Sequence, residues 1–90
     1  MTSEVRSDIR RVIGEHGRLP VDAASLADDA DLWGAGMSSH ATVDVMLAIE
    51  EAFDVEFPDR LLRRSTFASI DALADAVGEM RNGDGGDGQR

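Results

Sequence analysis

Apolar residues recur at helical spacing in three stretches of the chain. In the first, Val5, Ile9, Val12 and Ile13 alternate with Arg6, Arg10 and Arg11, which predicts an amphipathic helix over roughly Ser3 to His16. Gly17 and Pro20 end it. From Gly17 to Ser38 no period holds, and the segment reads as a long connection anchored by Leu26, Leu32 and Trp33. A connection of that length in a small domain usually has a task. A second helix is expected to begin near Ser38 or Ser39, with an apolar stripe of Val43, Met46, Leu47 and Ile49 continued by Phe53. Its acids Asp44, Glu50, Glu51 and Asp54 fall mainly on other faces. The run Val55-Glu56-Phe57 alternates only briefly, and Pro58 bars a simple continuation of the helix. Asp59 to Arg64 reads as one short helical turn or two. Ser69 is placed to cap a last helix whose Ile70, Leu73, Ala74 and Val77 face inward.

Beyond Met80, Asn82-Gly83-Asp84-Gly85-Gly86-Asp87-Gly88 has nothing apolar to bury, so the expected division is a domain over 1–81 and a disordered tail over 82–90. With almost no strand signal and no internal repeat, the pattern predicts an all-α fold. It is a small bundle of three main helices plus one short helix, with a long loop between the first and second.

Charge changes the picture. The 90 residues carry a net charge of -9, and the excess is localised. Between Leu19 and Asp59 lie ten acids and no arginine, whereas the rest of the chain is nearly balanced. All nine basic residues are Arg. Nucleic acid is therefore not expected as a partner, because phosphate binding needs clustered cations, and an anionic membrane surface is disfavoured for the same reason. The absence of Cys excludes a disulfide, a thiolate metal site and a Cys nucleophile. No apolar run approaches the roughly 20 residues of a membrane span, and Met1-Thr2-Ser3-Glu4-Val5 lacks a signal-peptide layout. A cytoplasmic, acidic, free-standing monomer is the expectation.

The inventory for catalysis is thin. His16 and His40 are the only histidines; the first falls at a helix end, where a cation suits the dipole. Ser39 and His40 are adjacent and point in different directions on a helix, which is poor geometry for a nucleophile and base. Asp29-Ala30-Asp31-Leu32-Trp33-Gly34 is not a calcium loop, since Trp33 and His40 stand where oxygen ligands are required, and no metal site is expected. One feature does bear on chemistry. Gly34-Ala35-Gly36-Met37-Ser38-Ser39 is a small, flexible approach to a helix start, where free N–H groups and the positive dipole end favour an anion on a serine hydroxyl. The plainer reading is that Ser38 or Ser39 only caps the helix; one can cap while the other is modified.

Taken together, Gly36-Met37-Ser38-Ser39-His40, Ile49-Glu50-Glu51-Ala52-Phe53, Phe57-Pro58-Asp59 and the Ser65-Thr66-Phe67 lead into Ile70–Val77 resemble the acyl carrier protein family. The resemblance covers roughly Val5 to Met80, with the pieces at the right mutual spacing. It implies a 4′-phosphopantetheine arm esterified to Ser39 by a phosphopantetheinyl transferase, the arm's thiol holding an acyl or aminoacyl group as a thioester. No residue of the chain is then catalytic. Two positions depart from the family pattern: Ser38 stands for its Asp and His40 for its Leu. Gly-Met-Ser-Ser-His is similar to a small group of free-standing carriers charged with amino acids by synthetase-like ligases. A fatty-acid or polyketide carrier, and a helical protein-interaction adaptor with no prosthetic group, are the alternatives.

The partners implied are the transferase, an acyl- or aminoacyl-activating ligase and downstream acyl-transfer enzymes. The second helix then becomes a docking face, with Asp44, Glu50 and Glu51 steering basic partners and Val45 and Met46 as apolar contacts. Met37, Ser38 and His40 flank the attachment point. Arg60, Arg63 and Arg64 interrupt the acidic surface and are expected to help select a dedicated partner.

Overall fold

A computed structural model describes residues 2–87. It holds helices α1 (Thr2–His16), α2 (Leu32–Ala35), α3 (Ser39–Phe53) and α4 (Ile70–Asp87), with 3-10 turns at Ala23–Ser25, Asp59–Leu61 and Arg64–Phe67. No strand occurs among the described residues, as the pattern predicted. Helix α1 packs against both α3 and α4. Ile9, Val12 and Ile13 meet Ala41, Val45 and Ile49 of α3 and Ile70, Leu73, Val77 and Met80 of α4 in one buried core. Full burial of an aliphatic side chain is worth about 1.5–3 kcal/mol, so this seam is the main source of stability.

Helix α1 matches its expected span within a residue, but its end is built differently. The Gly17 N–H donates to the Ile13 carbonyl at 2.8 Å, and a Cβ at Gly17 would lie 2.7 Å from that same oxygen. Glycine is needed there for close approach. The left-handed conformation falls instead on Arg18, with φ 56°, where an L-residue is disfavoured; its guanidinium donates to the Asp44 carboxylate at 2.9 Å.

The connection expected as a loop is stitched down on both sides. Arg10 donates to the carbonyls of Ala23 at 2.8 Å and Leu26 at 2.6 Å, and to the Asp28 carboxylate. The Asp71 N–H donates to the Asp28 carbonyl at 2.9 Å, and the Leu32 N–H to the Ala68 carbonyl at 2.7 Å. Arg6 Nε donates to Asp71 at 2.8 Å. That hydrogen bond chiefly raises the Arg6 pKa, desolvation opposes it, and the charges of Asp71, Asp28 and Asp75 add to it. A raised arginine pKa contributes stability that is fully present below the ordinary arginine value and is lost only as pH climbs past the raised one.

Helix α2 interrupts this connection and was not expected, because four residues are too few to show a period. It buries Leu32, while Trp33 and Leu26 pack partly against the core. Gly36 closes it at φ 117°, a conformation that requires glycine.

The stripe of α3 differs from the expected one. Ala41, Val45 and Ile49 face the core, whereas Val43 is 50% and Leu47 53% exposed. Ala41 is a weak hydrophobic signal, so the pattern followed the larger side chains one step away. Asp59–Arg64 resolves into two 3-10 turns, the second running to Phe67, and buried Phe57 and Phe67 stack with ring centroids 5.3 Å apart. At the start of α4 the Ser69 hydroxyl oxygen accepts the Ala72 N–H at 3.0 Å, the cap the sequence indicated. The boundary at 81 does not coincide with the end of this helix. It continues through 82–87, although Gly83, Gly85 and Gly86 are poor helix formers. Residues 88–90 of the expected tail lie outside the described residues.

Candidate functional site

The two adjacent serines at the start of α3 have different duties. Ser38 takes the N-cap position with extended backbone (φ -86°, ψ 163°), and its hydroxyl oxygen accepts the Ala41 N–H at 3.0 Å. Its carbonyl accepts the Thr42 N–H at 3.0 Å and the Thr42 hydroxyl at 2.8 Å. Ser39 is the first helical residue and is exposed. Among the described residues its hydroxyl has no hydrogen-bond partner, and neither do the N–H groups of Ser39 and His40. An anion carried on the Ser39 oxygen would therefore sit at the positive end of a 15-residue helix beside two unused donors. Buried Ala41, Val45 and Ile49 fix this helix against the core, so the serine is presented on a rigid element.

Ser39 also edges a cleft of about 320 Å³ between α3 and the segment that follows Leu61. Val43 and Met46 form one wall, and Leu62, Phe67 and Trp33 the other, with Arg63 and Arg64 at its margin. The Arg64 guanidinium lies 4.2 Å above the Trp33 ring, while Trp33 Nε1 donates to the Arg64 carbonyl at 3.0 Å. Arg63 Nε donates to the Arg60 carbonyl at 2.9 Å.

The remaining residues read from sequence divide between surface and scaffold. Met37 and Val45 are buried, so they pack the core and do not meet a partner; Met37 is drawn in as its N–H donates to the Leu32 carbonyl at 3.0 Å. Glu50 serves the fold, because its carboxylate accepts the Phe57 N–H at 2.9 Å. Asp44 is paired with Arg18 and Arg60 with Glu79. Glu51 and His40 are exposed, and Met46 is half-buried. Sequence reasoning missed Val43 and Leu47 as surface residues. Their signal was present: they lie four residues apart, a second stripe offset from Ala41, Val45 and Ile49. It also missed that Leu62 faces the cleft.

No group of three or more potential metal ligands forms among the described residues, and no helix there is long and apolar enough to cross a membrane. What the site offers is one exposed hydroxyl with anion-stabilising donors, and an amphipathic cleft beside it. Those features suit a serine-linked phosphodiester with a linear chain attached.

Comparison with known proteins agrees. Residues 4–77 match the family described as phosphopantetheine attachment site. An aminoacyl carrier protein of Agrobacterium fabrum is 52% identical over 73 residues, which are 81% of this chain and 88% of that one. The crystal structure of an engineered Bradyrhizobium japonicum glycine:[carrier protein] ligase complexed with carrier protein from Agrobacterium tumefaciens and AMP contains a chain that matches with TM-score 0.79 and 52% identity, covering 81% of this chain and 97% of that one. The B. japonicum ligase complexed with glycylated carrier protein contains another, with TM-score 0.70 and 26% identity, covering 81% and 97% respectively.

Proposed function

The chain belongs to the phosphopantetheine attachment site family of carrier proteins, and we propose that Ser39 is its attachment residue and that its cargo is an amino acid, glycine foremost, loaded by a carrier-protein ligase. The observation that carries the site is the division of labour at the helix start. Ser38 is committed to the Ala41 N–H at 3.0 Å, and Ser39 is left exposed. The amino-acid reading is supported by the 52% identity to an aminoacyl carrier protein. It is supported also by the solved relatives, which are complexed with a glycine:[carrier protein] ligase, in one case as the glycylated carrier protein. The attached group supplies the thiol that this Cys-free chain lacks.

The chain's own residues do the rest. Ser38 holds the first turn of α3 in shape, so that the Ser39 oxygen projects toward a transferase. The N–H groups of Ser39 and His40 and the helix dipole favour the phosphodiester over the free hydroxyl's surroundings. Val43, Leu47 and Glu51 form an apolar and acidic stripe on the exposed side of α3 that runs away from the serine along the helix. Charge on that surface raises the rate of encounter with a basic partner, and salt screens it.

The test is a loading reaction followed by intact mass. The phosphopantetheinylated protein is incubated with ATP, a glycine:carrier-protein ligase and either glycine or a fatty acid paired with its own ligase. A hydroxylamine-labile glycyl addition is expected. Acceptance of the fatty acyl group with no aminoacyl addition from any amino acid would contradict the cargo assignment.

A further inference from the structure

Arg18 is an unusual residue for its place. It follows the end of α1 with φ 56°, the left-handed conformation that helix ends most often give to glycine. A glycine there would escape the steric penalty that a Cβ brings. The arginine instead sends its guanidinium across to α3, 26 positions away, where it donates to the Asp44 carboxylate at 2.9 Å. The Arg18 side chain is 61% and that of Asp44 36% exposed, and ion pairs so open to water add little to stability. A disfavoured backbone and a weak ion pair do not explain Arg18 as a contributor to folding.

Asp44 also belongs to a stripe. Asp44, Leu47, Ala48 and Glu51 stand at helical spacing on one side of α3 and line a groove of about 230 Å³ together with His16 of α1. Leu47 is among the most exposed large hydrophobics, and Glu51 is exposed. At 1.5 Å rise per residue the two acids lie about 10 Å apart along the axis. The complementary surface carries two cations at that spacing around an apolar side chain. In the free protein one of the two cation seats is already taken, by the chain's own guanidinium.

We propose that Arg18 is a built-in competitor for the ligase: it occupies at Asp44 the seat of a ligase cation and must be displaced before the ligase covers the stripe. The inference rests on the reading above that a basic ligase approaches the exposed side of α3. Docking then exchanges one guanidinium for another at Asp44, and the net gain comes from Leu47 and Glu51. Arg18 holds binding weaker than the stripe alone would make it, and it returns to Asp44 when the ligase leaves. A carrier that must pass its cargo onward is served by such a limit on affinity.

The experiment measures the Kd of the phosphopantetheinylated protein for a glycine:carrier-protein ligase at physiological ionic strength. Arg18→Asn and Arg18→Gly remove the cation, and both residues accept the left-handed backbone. Each variant should bind about two- to fivefold more tightly, the worth of an exposed ion pair. Arg81→Gln makes the same change in net charge beside Val5 and Arg6, at the other end of α1, and should stay within about 1.5-fold of wild type because salt screens charges beyond about 8 Å. In an Asp44→Asn background, Arg18→Asn should bring no gain. Binding that is unchanged or weaker in both Arg18 variants would overturn the proposal. So would a gain matched by Arg81→Gln, or one that persists without Asp44. Wild type that the ligase does not glycylate, read by intact mass, overturns the cargo reading and this proposal with it; glycylated wild type with any of the other contrary results overturns this proposal alone.

Discussion

The Ser38 hydroxyl oxygen accepts the Ala41 N–H at 3.0 Å, and this bond separates two chemically identical neighbours into a structural serine and an available one. Replacing Ser38 with Ala should therefore weaken the helix start and leave the modification site intact. The expected loss is about 1 kcal/mol, which corresponds to a fall in Tm of roughly 4–8 °C for a domain of this size. Thermal unfolding read by circular dichroism checks it, with intact mass confirming that phosphopantetheinylation persists.

Adjacent acids on α3 should separate in the same way. Glu50→Ala removes the acceptor for the part-buried Phe57 N–H and should cost about 1–3 kcal/mol in urea unfolding. Glu51→Gln alters an exposed side chain and should leave stability within about 0.5 kcal/mol. Its effect should fall on the association rate with a ligase, by a margin that shrinks as salt rises.

The apolar residues of α3 and its approach make a parallel pair. Met37→Ala empties a buried position and should lose about 2–5 kcal/mol. Leu47→Ala trims a side chain that is 53% exposed, so its stability should be nearly unchanged while ligase affinity drops. Urea unfolding and surface plasmon resonance on the two variants distinguish core from contact.

Arg10 fastens the long connection through two carbonyls and Asp28, so Arg10→Met keeps much of the side chain's bulk and loses all three acceptors. Amide hydrogen exchange over residues 21–30 should accelerate at least tenfold, the equivalent of about 1.4 kcal/mol of local opening. Exchange in the central turns of α4 should change far less.

The sequence carried the three long helices, the Ser69 cap and the absence of strands among the described residues, because each is written in local periodicity or in a residue at a helix start. It did not carry α2, whose four residues depend on Leu32 burial and on Gly36 at φ 117°. On α3 it placed Ile49 correctly but turned Val43 and Leu47 inward, since Ala41 counts little as a hydrophobe yet sits fully buried. Among the site residues, the choice between Ser38 and Ser39 was open to local chemistry and closed only by a family resemblance. The structure adds that the Ser38 hydroxyl is engaged in the helix cap while Ser39 is exposed. The fates of Asp44, Glu50 and Arg60 were not legible, because their partners Arg18, Phe57 and Glu79 lie 26, 7 and 19 positions away.

Intact-mass spectrometry of three proteins treated with a broad-range phosphopantetheinyl transferase tests the central claim most directly. Wild type and Ser38→Ala should each gain one phosphopantetheine, and Ser39→Ala should gain none while unfolding at nearly the wild-type temperature. An adduct retained by Ser39→Ala, or lost from a folded Ser38→Ala, would contradict it.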